Sequence, residues 1–425
     1  MKEQMTCDAI SALVRVTCRE YTNFDRQPQN SYIRTLMDKL FFITGGTGLV
    51  GSNLIPRILL NDPGSTIILL VRGENDEEVV ERTKSIAGRI AQEFALPDAH
   101  ERIEGLRGDV SLDSFGLAPE QLRRIVRAST HIIHGAATIR FDHPIHEARA
   151  INCGGTARIL AIAQQCADRG QLERFVYIGT SSVSGQREGN IYEHELEMGQ
   201  AFFNTYEQSK CESERLVRDH FDRIPSTVFR PSIIIGNSRT GRTTSFNVVY
   251  IPLRLLQRGL LHFVPGDPDT TLDLVPIDWV DDVLVHITGK TASVGNICHV
   301  TAGPGRAARL GDVVEFAIRY FDEHTPLKQP RTVDFITRAE FLRRRAATRG
   351  REEALLAQLD TLLPYVSVNR LFNSQNTDRL LEGSGIKFPM FGSYADRILR
   401  YCVETNWGKN ADPSDPAHMT SLPSR

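Results

Sequence analysis

Phe41-Phe42-Ile43-Thr44-Gly45-Gly46-Thr47-Gly48-Leu49-Val50-Gly51 runs from an apolar strand, through spaced glycines, into an apolar helix. Gly45 permits a tight turn at the strand's end, Gly48 leaves room for backbone to approach a pyrophosphate, and Gly51 lets helix and strand pack closely. Amide groups at the start of the helix then face the phosphates and favour their negative charge. The stretch predicts a dinucleotide site made by Thr44, Gly45, Gly46, Thr47, Gly48, Leu49, Val50 and Gly51, and points to an oxidoreductase or epimerase.

Outward from this segment the chain alternates. Phe41–Thr44, Thr66–Val71, Ile103–Gly108, His131–Gly135, Arg174–Gly179 and Thr227–Phe229 read as strands. Leu49–Leu60, Asp76–Phe94, Pro119–Ala128, Ile145–Ala167 and Tyr206–Phe221 read as helices. Strands and helices of these lengths imply a parallel sheet covered on both faces. The expected fold is α/β: a Rossmann-type, doubly wound parallel sheet with a smaller, discontinuous C-terminal substrate-binding lobe. The divisions expected are an N-terminal extension over 1–38, a dinucleotide-binding domain over 39–232, a lobe over 233–408 and a disordered tail over 409–425. Residues 268–290 are expected to return to the first domain, because Leu272–Val285 reads as a strand and helix belonging to the main sheet.

The 425 residues are long enough for a sizeable core, and 41% hydrophobic with 24% charged residues is ordinary for a globular protein. A formal net charge of −2 gives no global attraction to nucleic acid or an anionic membrane. Seven cysteines are scattered without a Cys-x-x-Cys pair, which argues for reduced thiols in a cytoplasmic protein and against a zinc site. No apolar run approaches the roughly 18 residues of a membrane span, and no signal peptide is read at the N-terminus.

Two further segments carry chemistry. Tyr206-Glu-Gln-Ser-Lys210 opens a helix, and the spacing puts phenol and ammonium on one face. A nearby cation favours the phenolate, so the expectation is a lowered tyrosine pKa, with Lys210 also free to hold ribose hydroxyls. Arg174-Phe-Val-Tyr-Ile-Gly-Thr180-Ser-Ser-Val-Ser-Gly185 is an apolar strand ending in hydroxyl residues. Ligands of open α/β sheets bind beyond the carboxyl ends of the strands, so Thr180 is placed to donate to a substrate carbonyl or oxyanion. Ser181 and Ser182 compete for that role and are expected to touch substrate.

In this order the motifs resemble the extended short-chain dehydrogenase/reductases, from Lys39 to roughly Val285. Thr44-Gly45-x-x-Gly48-x-x-Gly51 is similar to that family's cofactor loop, and Gly108-Asp109-Val110 to its adenine-contacting turn. His134-Gly135-Ala136-Ala137 resembles the wall where backbone meets cofactor, and Asn152-Cys153-Gly154-Gly155-Thr156 the family's Asn-x-x-Gly-Thr helix segment. Thr180, Tyr206 and Lys210 align with the catalytic triad. Arg230-Pro231-Ser232, continuing into Ile233, resembles the segment that closes over the nicotinamide. Glu214, Arg230-Pro231-Ser232-Ile233 and Val275-Pro276-Ile277-Asp278-Trp279-Val280 bring the likeness closer to fatty acyl-CoA reductases and to thioester reductase domains of carboxylic acid reductases and peptide synthetases. A looser likeness extends over Asn369–Pro389. The resemblance implies an acyl thioester substrate on CoA or an acyl carrier protein, reduced to aldehyde with alcohol as a further product. It leaves the oligomeric state open between monomer and homodimer.

Arg72 ends the second strand where an acidic residue would bind a ribose 2′-hydroxyl; an arginine suits a 2′-phosphate, so NADPH is expected, with no metal. Glu74 stands two positions late for a ribose ligand, and Arg82 or Lys84 offers a second positive contact. His131 and His134 fall on opposite strand faces, and Cys153 reads as a buried structural thiol. Asp273, Asp278, Asp281 and Asp282 read as capping and packing carboxylates. The alternative activities are a nucleotide-sugar epimerase or dehydratase, or a ketone or hydroxyl oxidoreductase, on the same scaffold. Ser181-Ser182 stands where such dehydratases carry an Asp-Glu pair. A non-catalytic NADP-binding regulator is the remaining class, and the Tyr206/Lys210 pair argues against it.

Overall fold

The computed structural model describes residues 39–246 and 248–410. The extension expected over 1–38 and residues 411–425 of the expected tail lie outside the described residues. Seven parallel strands form the central sheet: β1 (Leu40–Thr44), β2 (Thr66–Val71), β3 (Ile103–Arg107), β4 (His131–His134), β5 (Arg174–Ile178), β6 (Ser226–Pro231) and β7 (Ile297–Val300). Their spatial order is β7-β6-β5-β4-β1-β2-β3, the doubly wound arrangement that reverses between β1 and β4.

Period-two alternation divides the strand side chains between two cores. Phe41, Ile43, Ile67, Leu69, Val176 and Ile178 face one side, packed against helices α1 (Leu49–Asn61), α2 (Asp76–Phe94) and α6 (Ile277–Thr288). Phe42, Ile68, Leu70, Phe175 and Tyr177 face the other, under α3 (Pro119–Ala128), α4 (Ile145–Asp168) and α5 (Thr205–Arg218). Burying each large apolar side chain contributes about 1.5–3 kcal/mol, so the alternation itself fixes the register.

Helix α1 contains Pro56, which lacks the amide that would bond the Ser52 carbonyl one turn back. Arg89 on α2 fills the gap, its Nη2 donating to Ser52 O at 2.8 Å. Two packed helices thus repair a break that one helix carries alone.

A third apolar core belongs to the lobe. Helices Tyr250–Gln257, Leu310–His324 and Ala395–Glu404 enclose it together with a parallel strand pair, Ile233–Ile235 and Leu274–Pro276. The strand expected to return to the main sheet therefore stays with the lobe, because its partner is the strand that follows β6. The helix after it, α6, does pack on the main sheet's flank beside α1. The chain re-enters the sheet at β7, whose Ile297–Val300 aligns with Val228–Pro231 of β6. A second seam joins the parts, since Gly189–Ile191, just after β5, pairs in parallel with Arg370–Phe372. Among the described residues, no helix is long and apolar enough to cross a membrane.

Candidate active site

The turn after β1 meets the exit of β4 where the strand order reverses. Gly45 has φ +75°, and a Cβ there would lie 2.5 Å from the Gly135 carbonyl carbon and 2.6 Å from the Ala136 nitrogen. Only glycine allows this approach. At Gly51 a Cβ would lie 2.4 Å from Gly45 O, so the start of α1 packs directly on the turn. Gly48 caps α1 with an ordinary φ of −79°, no side chain caps the helix, and its first turn holds no acidic residue. Leu49 and Val50 in that turn pack on the first core. The helix start therefore offers amide donors and positive dipole without a competing carboxylate.

The wall opposite is held from beneath. Thr44 Oγ1 lies 2.7 Å from His134 Nδ1, and the Ala136 amide donates to Thr44 Oγ1 at 3.3 Å. His134 Nε2 in turn lies 3.2 Å from Thr156 Oγ1. Burial drives the His134 pKa down to about 3, so the ring bridges Thr44 and Thr156 in its neutral form. Gly135 is exposed, and Ala136 and Ala137 are half-buried. The side chain of Arg72 is exposed at the β2 tip, while Arg82 donates to the Arg72 carbonyl and pairs with Glu78. Asp109 accepts from both the amide and the hydroxyl of Ser111 at 2.7 Å, and Val110 is packed into the second core.

Beyond β5, Thr180 caps a short turn over Ser181–Ser184, its Oγ1 accepting from the Ser182 amide at 3.2 Å. Asn204 caps α5, accepting from the Glu207 amide at 2.9 Å, so Tyr206 sits in the first helical turn. One face of α5 carries three anchored side chains. Tyr206 lies within reach of the Thr180 hydroxyl. Lys210 Nζ donates to Ile178 O at 2.9 Å and lies 4.3 Å from the centroid of the Tyr177 ring. Glu214, wholly buried, accepts from Arg230 Nε at 2.8 Å and Nη2 at 2.7 Å. Asn152 links the helix to the β4 exit, donating to Ser209 Oγ at 2.9 Å and accepting from the Thr138 amide at 2.8 Å. Cys153 beside it is fully buried, its Sγ 3.3 Å from Ser209 O.

The structure thus brings Thr180, Ser181, Ser182, Tyr206 and Lys210 together at the end of β5. The glycine turn and Gly135–Ala137 lie at the ends of β1 and β4 in the same sheet. Pro231 ends β6, and Ser232 hydrogen-bonds Asp273. Ile233 continues into the lobe.

The acidity of Tyr206 runs opposite to the sequence expectation. Burial, opposed by the Thr180 hydrogen bond, pushes its pKa up to about 12, while burial takes Lys210 down to about 7 against the pull of Glu214. The ammonium is spent on the Ile178 carbonyl, and desolvation dominates both groups. Tyr206 is consequently a protonated donor across physiological pH.

Three neighbours carry no motif. Phe141 packs on Tyr206 with ring centroids 5.7 Å apart. Glu207, buried beside Tyr206, accepts from the Phe203 amide at 3.0 Å, and burial raises its pKa to about 7. Tyr365 arrives from the lobe. Glu207 stands inside the quoted Tyr206–Lys210 segment, yet only the fold shows that it points inward.

A family model described as Male sterility protein, an NAD-binding family, matches residues 43–284. Fatty acyl-CoA reductase wat of Drosophila melanogaster is 27% identical over 292 residues, covering 61% of this chain and 55% of that protein. The chain therefore spans about half the length of the curated relative it matches. Among solved structures, the terminal R domain of the myxalamid PKS-NRPS pathway superposes with a TM-score of 0.74 at 23% identity, covering 94% of this chain and 98% of the other. The reductase domain of a nonribosomal peptide synthetase from Mycobacterium tuberculosis gives 0.69 at 21%, covering 94% and 99%. At these identities the superpositions establish the fold.

Proposed function

This chain belongs to the NAD-binding family described as Male sterility protein, and from that premise we propose that it is an NADPH-dependent reductase of acyl thioesters, carried on CoA or an acyl carrier protein, that releases an aldehyde. One observation carries the reading: Thr180, Tyr206 and Lys210 converge at the end of β5, in the same sheet as a glycine turn whose backbone packs directly on the exit of β4. Likeness to a fatty acyl-CoA reductase in sequence and to R domains in fold supports it.

The residues present fit a dinucleotide. Gly45 to Gly51 and the open start of α1 would hold the pyrophosphate, Asp109 and Val110 the adenine side, and Arg72 a 2′-phosphate. Gly135–Ala137 and Pro231–Ile233 would border the nicotinamide, with Tyr206 and Lys210 beside the ribose. When bound, the nicotinamide supplies the hydride that reduces the thioester carbonyl carbon.

The chain's own groups do the rest. Thr180 and Tyr206 donate to the carbonyl oxygen, where negative charge develops, and burial strengthens both interactions. Tyr206 then gives its proton to that oxygen. Lys210 keeps the end of β5 and the helix face in register through Ile178. Breakage of the carbon–sulfur bond in the resulting hemithioacetal yields aldehyde and thiol, with no acyl-enzyme required. The overall change consumes one thioester, one hydride and one proton. A second reduction to the alcohol uses the same donors.

The test is NADPH oxidation by purified protein against acyl-CoAs and carrier-loaded acyl chains, with products identified by mass spectrometry. Tyr206→Phe is expected to lose at least about 100-fold in turnover, the scale of one positioned acid, while NADPH binding is retained. Turnover within a few-fold of wild type would sink the assignment.

A further inference from the structure

The lobe reaches into the catalytic turn at one point. Tyr365 lies on the short helix Leu363–Val366, half-buried, with its ring packed against the lobe core. Its phenol lies within reach of the Ser182 hydroxyl and close to Tyr206 and Glu207. Burial holds the phenol protonated. Ser182 belongs to the turn that begins at Thr180, so Tyr365 stands beside the position where a substrate carbonyl meets Thr180 and Tyr206.

A buried cation fixes this placement. Arg370, 5% exposed, donates to Gly185 O at 3.3 Å, at the end of the Ser181–Ser184 turn. It also donates to the carbonyl of Pro364, the residue before Tyr365. The strand carrying Arg370 pairs with Gly189–Ile191, just beyond the same turn. One guanidinium and one strand pair therefore lock the helix bearing Tyr365 to the turn bearing Ser182. Such clamping is unnecessary for a surface aromatic, and it fixes the backbone that carries Tyr365 against the end of the turn.

Resting on the reductase reading above, we infer that Tyr365 is a substrate-contacting, specificity-determining residue: its ring, oriented by Ser182, forms the wall against the first carbons of the acyl group. The wall decides how much branching next to the thioester carbonyl the site accepts.

The experiment compares wild type, Tyr365→Ala, Tyr365→Phe, Ser182→Ala and the Ser182→Ala/Tyr365→Phe double variant with butyryl-CoA and 2-methylbutyryl-CoA, which adds one methyl group next to the carbonyl. One methyl group at a well-formed wall changes kcat/KM by about tenfold or more. Tyr365→Ala is expected to raise the branched-to-straight ratio by that order, with NADPH affinity little changed and a lowered melting temperature, since the ring also packs on the lobe core. Tyr365→Phe and Ser182→Ala should each raise KM several-fold, and the double variant should match either single one, since both remove one interaction. Ratios and KM values within twofold of an active wild type in every variant would overturn the inference and leave the reductase reading standing. A wild type that oxidises NADPH with no thioester, and binds no non-reducible butyryl-CoA thioether, would overturn both.

Discussion

Arg72 is exposed at the tip of β2, so its charge is free for a ligand while its backbone carbonyl is already held by Arg82. A guanidinium bound to phosphate is worth about 1.5–3 kcal/mol, and an aspartate in its place repels the phosphate and suits a ribose hydroxyl. Arg72→Asp should therefore lower kcat/KM for NADPH by about 10- to 100-fold and raise that for NADH. Steady-state kinetics with both cofactors checks this, and unchanged discrimination would move the 2′-phosphate contact away from Arg72. At this scale the sequence is legible where a motif requires a residue type, as at Gly45, Thr180 and Tyr206. It is silent on environment. The Tyr206–Lys210 spacing suggests a phenol made more acidic, yet burial and the Ile178 carbonyl reverse the direction. Tyr365 enters the site through contacts between segments far apart in the chain, which no local pattern encodes, and Glu207, although next to Tyr206, owes its burial to the fold.

The glycines of the first turn separate cofactor binding from folding at the level of one element. At Gly51 a Cβ would press on the Gly45 carbonyl at 2.4 Å, whereas at Gly48 the nearest atom is 3.3 Å away and φ is ordinary. Gly51→Ala must push α1 off β1 and should destabilise by about 1–3 kcal/mol, the usual range for overpacking. Gly48→Ala should fold with a melting temperature near wild type and, if this turn holds the pyrophosphate as proposed, lose about tenfold or more in NADPH affinity. Thermal melts and cofactor titrations on the two variants check the pair, and equal destabilisation by both would refute the division. Strands and helices of the main sheet are legible because each face buries a full apolar row. Thr66–Val71, Asp76–Phe94 and Pro119–Ala128 have the bounds their patterns indicate. Strand β7 escapes notice because Ile297-Cys-His-Val300 is short and carries His299, whose ring faces Arg230 and the Asn373 carbonyl rather than an apolar neighbour. The strand Leu274–Pro276 is legible as a strand but not as the lobe's, since β-pattern carries no address for its partner.

Buried ionisable groups make the stability of the whole molecule a function of pH. Burial takes His131 down to about 4 and His134 to about 3, so protonation favours the unfolded chain and stability falls as pH drops below about 6.5. Glu207, raised to about 7, and Asp281, raised well above the usual carboxylate range by burial, act in the opposite sense, losing stability as pH rises. Lys210 dominates the neutral-to-alkaline side. Its pKa is about 7 folded and 10.5 unfolded, so between those values the unfolded chain binds the extra proton and stability rises with pH. One proton supplies at most about 1.4 kcal/mol per pH unit. Lys210→Met keeps a long apolar stem, removes the buried amine and the Ile178 contact, and removes this slope. Because Asp281 is common to both proteins, the difference between wild type and Lys210→Met isolates the lysine. Chemical denaturation from pH 7 to 9 should show wild type gaining on the variant as pH rises, with the variant the more stable near pH 7 and nearly inactive throughout. A pH-independent difference would mean that Lys210 keeps its charge on folding, held by Glu214 more strongly than burial opposes it. Helix α5 would then be an ion-paired element rather than one that gives up stability to place an amine beside its tyrosine.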